Sequence, residues 1–206
     1  LKTPLSTIIN IVELLENQKK ITVQERNKFM KILNNESLKM KSIIDDLLHL
    51  TKIETDLTKK ITKIVDLNEV VFDSINRTQT SAKKNGIKIK YIRSKSANIL
   101  GESNQLQQMI VNIIDNSIKY ADKKSLINIK LNEFENKLVL SFRDKGKGIP
   151  QRLIPRITER FYRVPDTKIK NIEGTGLGLA IVKHIVIRHK AELKITSKVN
   201  VGTTIE

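Results

Sequence analysis

The chain has 206 residues, of which 39% are hydrophobic, 29% charged and 4% aromatic, with a formal net charge of +16 and no cysteine. That length allows a buried core in one or two domains; no apolar run reaches the roughly 18–20 residues of a membrane span, and a disulfide framework or thiolate-bound zinc is excluded. The lysines are spread along the whole sequence with almost no aromatic interleaving, which reads as a solvated basic surface and not as a nucleic-acid interface.

From Leu1 to about Asn17, apolar residues recur at Leu1, Leu5, Ile8, Val12 and Leu15, a spacing that builds one seam along a helix. A polar break at Gln18-Lys19-Lys20 follows, and Thr22 is placed to cap a second helix whose seam runs through Leu33, Met40, Ile43, Leu47 and Leu50 to about Glu54. Two such helices joined by a short loop make an antiparallel hairpin. A lone hairpin leaves an apolar stripe in water, so pairing with a second copy into a dimeric four-helix bundle is expected.

The hairpin is assigned to residues 1–56, a Thr- and Lys-rich linker to 57–63, and a second domain to 64–206. In that second domain the patterns predict strand 62–65, helix 67–84, strands 87–92 and 97–100, helix 103–121, and strands near 126–134 and 137–143. A long loop over 145–173, helix 176–188 and strands near 192–197 and 201–205 complete it. Alternation at Ile127, Ile129 and Leu131 and at Leu138, Leu140 and Phe142 marks half-buried strands. The fold class is α+β, an α/β sandwich with helices on one face of a mixed sheet.

Three stretches carry chemistry. On helix 103–121, Leu106, Met109, Ile110, Ile113 and Ile114 share one face, while Gln105, Gln108, Asn112, Asn116 and Lys119 share the opposite one. That polar face is either simply solvated or a ligand face. A carboxamide oxygen is a hard, neutral donor suited to Mg²⁺ whose other ligands are phosphate oxygens and water. Next, Arg143-Asp144-Lys145-Gly146-Lys147-Gly148-Ile149-Pro150 follows a strand directly. It is either a charged turn or a base site, in which Asp144 accepts the exocyclic amino group of adenine, Gly146 leaves room for a flat base and Gly148 acts as a hinge. Finally, Gly174-Thr175-Gly176-Leu177-Gly178 runs into an amphipathic helix, where free N–H donors and the helix dipole favour a phosphate.

Taken together, Asn112-Ile-Ile-Asp-Asn116-Ser-Ile-Lys119-Tyr120, Asp144-Lys-Gly146-Lys-Gly148, Thr158-Glu-Arg-Phe161-Tyr-Arg163 and Gly174-Thr-Gly176-Leu-Gly178 resemble the N, first G, F and second G boxes of bacterial sensor histidine kinases, in order and spacing. Leu1-Lys2-Thr3-Pro4-Leu5 resembles the stretch just after that family's phospho-accepting histidine, and Asp45 to Glu54 the end of its second dimerisation helix. The resemblance implies an ATP- and Mg²⁺-dependent kinase that phosphorylates a histidine and passes the phosphoryl group to the receiver domain of a response regulator. By the same resemblance Asn116 holds Mg²⁺, Asn112 and Lys119 face the phosphates, and Tyr120 borders the nucleotide. Asp144 and Gly146 recognise adenine, Gly174, Gly176 and Gly178 close the lid over the phosphates, and Gly148, Ile149, Arg163, Thr175 and Leu177 are further ATP-binding residues. The basic residues Arg152, Arg156, Arg160, Arg163, Lys168 and Lys170 are expected to draw a polyanion there. Thr3, one turn after the histidine, is implied to position a water for phosphatase activity.

The pattern places the histidine two positions before Leu1, outside the sequence. His49, His184 and His189 lack the family context and are expected to be surface or capping residues. ATP-hydrolysing relatives of the fold carry Glu where this chain has Asn112, so the water-activating base is missing; a non-catalytic ATP-binding scaffold is the other alternative. A cytoplasmic domain of an inner-membrane sensor is expected, reaching the membrane only through segments outside this sequence and contacting no nucleic acid.

Overall fold

A computed structural model describes residues 2–17, 21–135, 137–165 and 174–206. The chain divides into two units, Leu1–Thr51 and Lys52–Glu206. The first holds helix α1 (Lys2–Asn17) and most of α2 (Val23–Asp56). Thr22 starts α2 as expected: its backbone N–H donates to the Glu25 carboxylate (3.0 Å), and its Oγ1 accepts the Glu25 N–H (3.3 Å). This reciprocal pair satisfies donors that a helix start leaves open; the Thr22 hydroxyl, which also donates to the Glu25 carboxylate (2.7 Å), and the Thr22 N–H hold that carboxyl below the usual carboxylate range.

The seam of α2 lies inward as read, with Ile43 and Leu50 buried and Leu33, Met40 and Leu47 half-buried. That of α1 does not. Pro4 and Ile11 are its buried residues and Ile8 and Leu15 are half-buried, whereas Leu5 and Val12 are exposed together with Ile9. At 3.6 residues per turn the positions 4/11 and 5/12 are adjacent stripes, and only one of them is covered within the chain. Leu1 and Gln18-Lys19-Lys20 lie outside the described residues.

The second unit runs β1 (Ile64–Asp66), α3 (Leu67–Lys84), β2 (Lys88–Ile92), β3 (Asn98–Leu100), α4 (Ser103–Tyr120), β4 (Leu126–Phe134) and β5 (Lys137–Arg143). A 3₁₀ turn (Gln151–Arg156), α5 (Gly178–Arg188), β6 (Ile195–Lys198) and β7 (Gly202–Ile205) follow. Strands β1 and β3 form a separate ribbon; the main sheet has the order β2-β4-β5-β7-β6, with β2–β4 parallel and the other pairs antiparallel. Register aligns the core: Ile127 faces Ile89, Ile129 faces Phe142, and Phe142 faces Ile205. Onto this face pack Val70 and Val71 of α3, Ile110, Ile113, Ile114 and Ile118 of α4, and Val182 and Val186 of α5.

Local chemistry explains the ends. Asp66 caps α3 by accepting the Asn68 N–H (2.8 Å). Helix α5 begins at Gly178 instead of 176, because Gly176 has φ +74°. It ends with Lys190 at φ +53°, a left-handed position where glycine is commoner. The final strands are β6 from Ile195, three residues later than expected, and β7 from Gly202, and Asn200 (φ +59°) lies in the turn between them. His189 is a capping residue: its Nδ1 lies 2.9 Å from the Ile185 carbonyl, and Nε2 accepts the Glu102 N–H (3.0 Å) at the start of α4. Burial keeps this imidazole below its ordinary pKa, in line with the neutral form that accepting requires.

Gly148 supplies a test of the packing. Its φ is +63°, and a Cβ there would stand 2.0 Å from the Lys198 carbonyl oxygen. Gly148→Ala is expected to destabilise the second unit by about 2–4 kcal/mol, from the left-handed backbone plus the clash. Thermal unfolding should register a fall of roughly 4–16 °C. Gly174→Ala, with nothing within 4 Å of the added carbon, should move it by about 1 °C or less.

Candidate nucleotide site

Helix α4 brings the candidate residues together. Its apolar face is fixed in the core, so Asn112 and Asn116 must emerge on the other side, one turn apart and half-buried. Gly178, the first residue of α5, lies against both: an added Cβ would be 3.8 Å from Asn112 Cγ and 3.9 Å from Asn116 Nδ2. The Asn112 carboxamide N–H points at the Gly178 carbonyl at 3.5 Å, at the limit of a hydrogen bond. Two carboxamides therefore stand beside a helix N-terminus, whose open N–H groups and dipole favour an anion.

One turn on, the first glycine-rich loop closes over the end of α4. Ala121 and Gly146 form a β-bridge, and the Asp122 N–H donates to the Lys145 carbonyl (2.8 Å). A Cβ at Gly146 would sit 2.3 Å from the Tyr120 carbonyl oxygen. The chain's own backbone thus requires glycine here, a cause that the reading of Gly146 as room for a base did not include. The same holds for Gly148, which is held against the β6–β7 turn and is no free hinge.

Asp144 is half-buried between α4 and β7. Its Oδ1 accepts the Thr203 N–H (3.1 Å), and Ser117, which follows Asn116 on α4, reaches Oδ2 at a long 3.4 Å. Burial raises its pKa above the ordinary aspartate value, the Thr203 and Ser117 hydrogen bonds oppose that rise, and nearby Asp122 adds to it. Asp115, quoted above only as part of a motif, is also raised by burial, with Lys119 pulling the other way.

The remaining candidates divide by environment. Lys119 and Tyr120 are exposed at the end of α4, and Ile149 donates its N–H to Ser197 Oγ (2.8 Å). Thr175 Oγ1 accepts the Leu177 N–H (3.2 Å), and the Leu177 side chain is fully buried, so this residue offers a ligand no side-chain surface. Gly176 packs on the Phe161 backbone, where a Cβ would meet Phe161 C at 2.8 Å; Gly174 is in open space. Thr3 is exposed in the first turn of α1, in the other unit.

Two of the arginines expected to draw in a polyanion are engaged locally. Arg156 pairs with Glu159 (3.2 Å) and stacks on the Tyr162 ring (4.4 Å), and Arg160 pairs with Glu54 in the last turn of α2. His184 Nδ1 is 3.5 Å from the same Glu54 carboxylate, yet desolvation lowers its pKa. Asp166, Lys168 and Lys170 lie outside the described residues. A separate apolar groove between the 3₁₀ turn, α5 and β6, lined by Ile154, Pro155, Ile187 and Leu193 among others, contains none of the candidates.

Sequence reasoning missed Ser117, Ser197 and Thr203. Ser117 was visible as the residue after Asn116 on the same helix; the other two sit on the last hairpin, far from the boxes in sequence, and only strand pairing brings them to the loop.

Comparison with known proteins finds two families, one after the other along the chain. Residues 1–56 match the His Kinase A (phospho-acceptor) domain, and residues 101–206 match the histidine kinase-, DNA gyrase B- and HSP90-like ATPase family. The sensor protein kinase WalK of Staphylococcus aureus is 31% identical over 207 residues, covering 100% of this chain and 50% of that protein. The chain therefore spans about half the length of that relative. The mycobacterial sensor histidine kinase MprB structure aligns at 27% identity and TM-score 0.60 over 69% of this chain and 93% of its own. Histidine kinase ThkA, solved in complex with response regulator protein TrrA, aligns at 18% identity and TM-score 0.73 over 99% of this chain and 56% of its own, a likeness of fold. The phospho-acceptor helices followed by the ATPase fold place this chain in the sensor histidine kinase family.

Proposed function

We propose that this chain is the catalytic core of a two-component protein-histidine kinase, one that uses ATP to phosphorylate a histidine and delivers the phosphoryl group to a response-regulator aspartate. The observation that carries the proposal is the convergence of Asn112, Asn116 and the start of α5 at Gly178, behind a phospho-acceptor domain. The donor set fits the group it is asked to hold: neutral carboxamide oxygens suit Mg²⁺ bound to phosphate, and a helix N-terminus suits the phosphates. Bound MgATP would supply the transferable phosphoryl group and the charge neutralisation that its transfer needs. The chain's part is to hold it: Asn116 at the metal, Asn112 and Lys119 toward phosphate, Asp144 at the adenine amino group.

The ATP-hydrolysing alternative is disfavoured, because the amide of Asn112 has no basicity with which to activate water. A response-regulator receiver domain is the proposed partner, by analogy with the ThkA–TrrA complex. Thr3 is proposed to serve regulator dephosphorylation, so Thr3→Ala should slow phosphate release from the regulator and spare kinase activity. Among the described residues no helix is long and apolar enough to cross a membrane; a place on the cytoplasmic side of an inner-membrane sensor is proposed from the relatives.

In protein supplied with a phospho-accepting histidine ahead of Leu1, Asn116→Ala should lower Mg²⁺-dependent phosphorylation from labelled ATP by roughly 100-fold or more. Undiminished labelling would remove Asn116 from the metal.

Asp144 must be ionised to accept an amino group, and burial raises its pKa. ATP affinity should therefore fall on acidification at a pH above the ordinary aspartate range. Stability runs the other way: a raised folded-state pKa contributes stability below the ordinary value, and that contribution is lost as pH rises through the raised one. Asp144→Asn should weaken ATP by about tenfold at neutral pH and flatten the acid limb in titration calorimetry. A limb that persists in the variant assigns it to another group.

We also infer a homodimer through the first unit, with the exposed Leu5, Ile9 and Val12 stripe on α1 at the interface. Val12→Asp should shift sedimentation from dimer toward monomer, and an unchanged dimer places the interface elsewhere.

A further inference from the structure

The first glycine-rich loop is laid along the turn between β6 and β7 at four successive points. Asp144 makes two hydrogen bonds to the Thr203 backbone: its N–H donates to the Thr203 carbonyl (3.0 Å), and its carboxylate accepts the Thr203 N–H (3.1 Å). The Asn200 N–H donates to the Lys147 carbonyl (2.8 Å). Gly148 abuts the Lys198 carbonyl so closely that a Cβ would be 2.0 Å from it, and the Ile149 N–H donates to Ser197 Oγ (2.8 Å).

Two of these points rest on backbone geometry alone and the first joins the Asp144 carboxylate to backbone; only the fourth rests on a side chain of the β6–β7 hairpin. Ser197 Oγ also lies 2.9 Å from the Gly202 carbonyl, to which it donates, and 2.8 Å from Thr203 Oγ1. One hydroxyl has one proton and two acceptor positions, so the set closes: Ser197 donates to Gly202 and accepts from Ile149 N–H and from the Thr203 hydroxyl. Ser197 and Thr203 face each other across the β6–β7 pair, and the Thr203 N–H is the donor that holds Asp144. One half-buried hydroxyl thus ties down the far end of the loop directly and braces the residue that fixes the near end.

We infer that Ser197 is a positioning residue for adenine recognition, setting where the Asp144 carboxylate stands relative to the base. This deepens the nucleotide-binding reading above and rests on it. Its signature is selectivity. Losing the hydroxyl leaves the α4–α5 phosphate end untouched and loosens the Asp144 end, so the penalty should depend on whether the base carries the amino group that Asp144 accepts.

The test is equilibrium binding of ATP and of purine riboside triphosphate, which lacks the 6-amino group, to the wild-type chain and to Ser197→Ala, Ser197→Thr and Ser197→Ala/Thr203→Val. Ser197→Ala is expected to weaken ATP by roughly fivefold to tenfold and the analogue by less than about twofold, the range of one lost hydrogen bond. Ser197→Thr keeps the hydroxyl and should restore ATP binding, and the double variant should be no weaker than Ser197→Ala, since both hydroxyls act in one network. Equal loss for both ligands, or none for either, overturns the inference. So does ATP weakening in Ser197→Ala that Ser197→Thr fails to restore, with thermal melts reporting whether each variant is folded. If wild-type protein binds neither ligand, the nucleotide reading itself fails, which is a distinguishable result.

Discussion

Ile110, Ile113, Ile114 and Ile118 anchor one side of α4 to the central sheet, and that anchorage decides where everything else in the second unit can act. A helix with one face buried has no freedom to rotate, so the side chains at 112 and 116 point away from the core in a fixed direction. Both glycine-rich segments are then fitted to the same helix. Three pieces of chain separated by dozens of residues share one template, with Gly178 at Asn112 and Asn116, and Gly146 at the carbonyl of Tyr120.

The glycines illustrate how function and packing coincide. Gly146, Gly148 and Gly202 each admit backbone, from Tyr120, Lys198 and Asp144 respectively, closer than any side chain would allow. Such contacts leave the loop no slack, which is the condition under which a half-buried carboxylate can be held for recognition at all. Burial raises the Asp144 pKa, and the Thr203 N–H opposes that rise.

Much of this was legible in the sequence, for identifiable reasons. Helix α3 was read over 67–84 and found there, because its apolar spacing is regular and Asp66 is a strong cap. The four boxes keep their order whatever the tertiary detail, so the family could be named from residues alone. Within the chain the seam of α1 is only half covered, Ile8 and Leu15 lying partly buried and Leu5 and Val12 exposed, since residues 4/11 and 5/12 form adjacent stripes and the sequence does not say which the second helix covers. Ser197 was invisible because its partner loop lies about fifty residues away and is reached only through strand register.

The central claim is that distant segments form one nucleotide site along α4. It is tested most directly by NMR titration of the isotopically labelled chain with a non-hydrolysable MgATP analogue. The account predicts that the side-chain amides of Asn112 and Asn116 and the backbone amides of Gly146 and Gly178 shift together along one saturation curve. Shifts confined to the apolar groove at Ile154 and Ile187, or separate curves for the Asn116 and Gly146 signals, would contradict it.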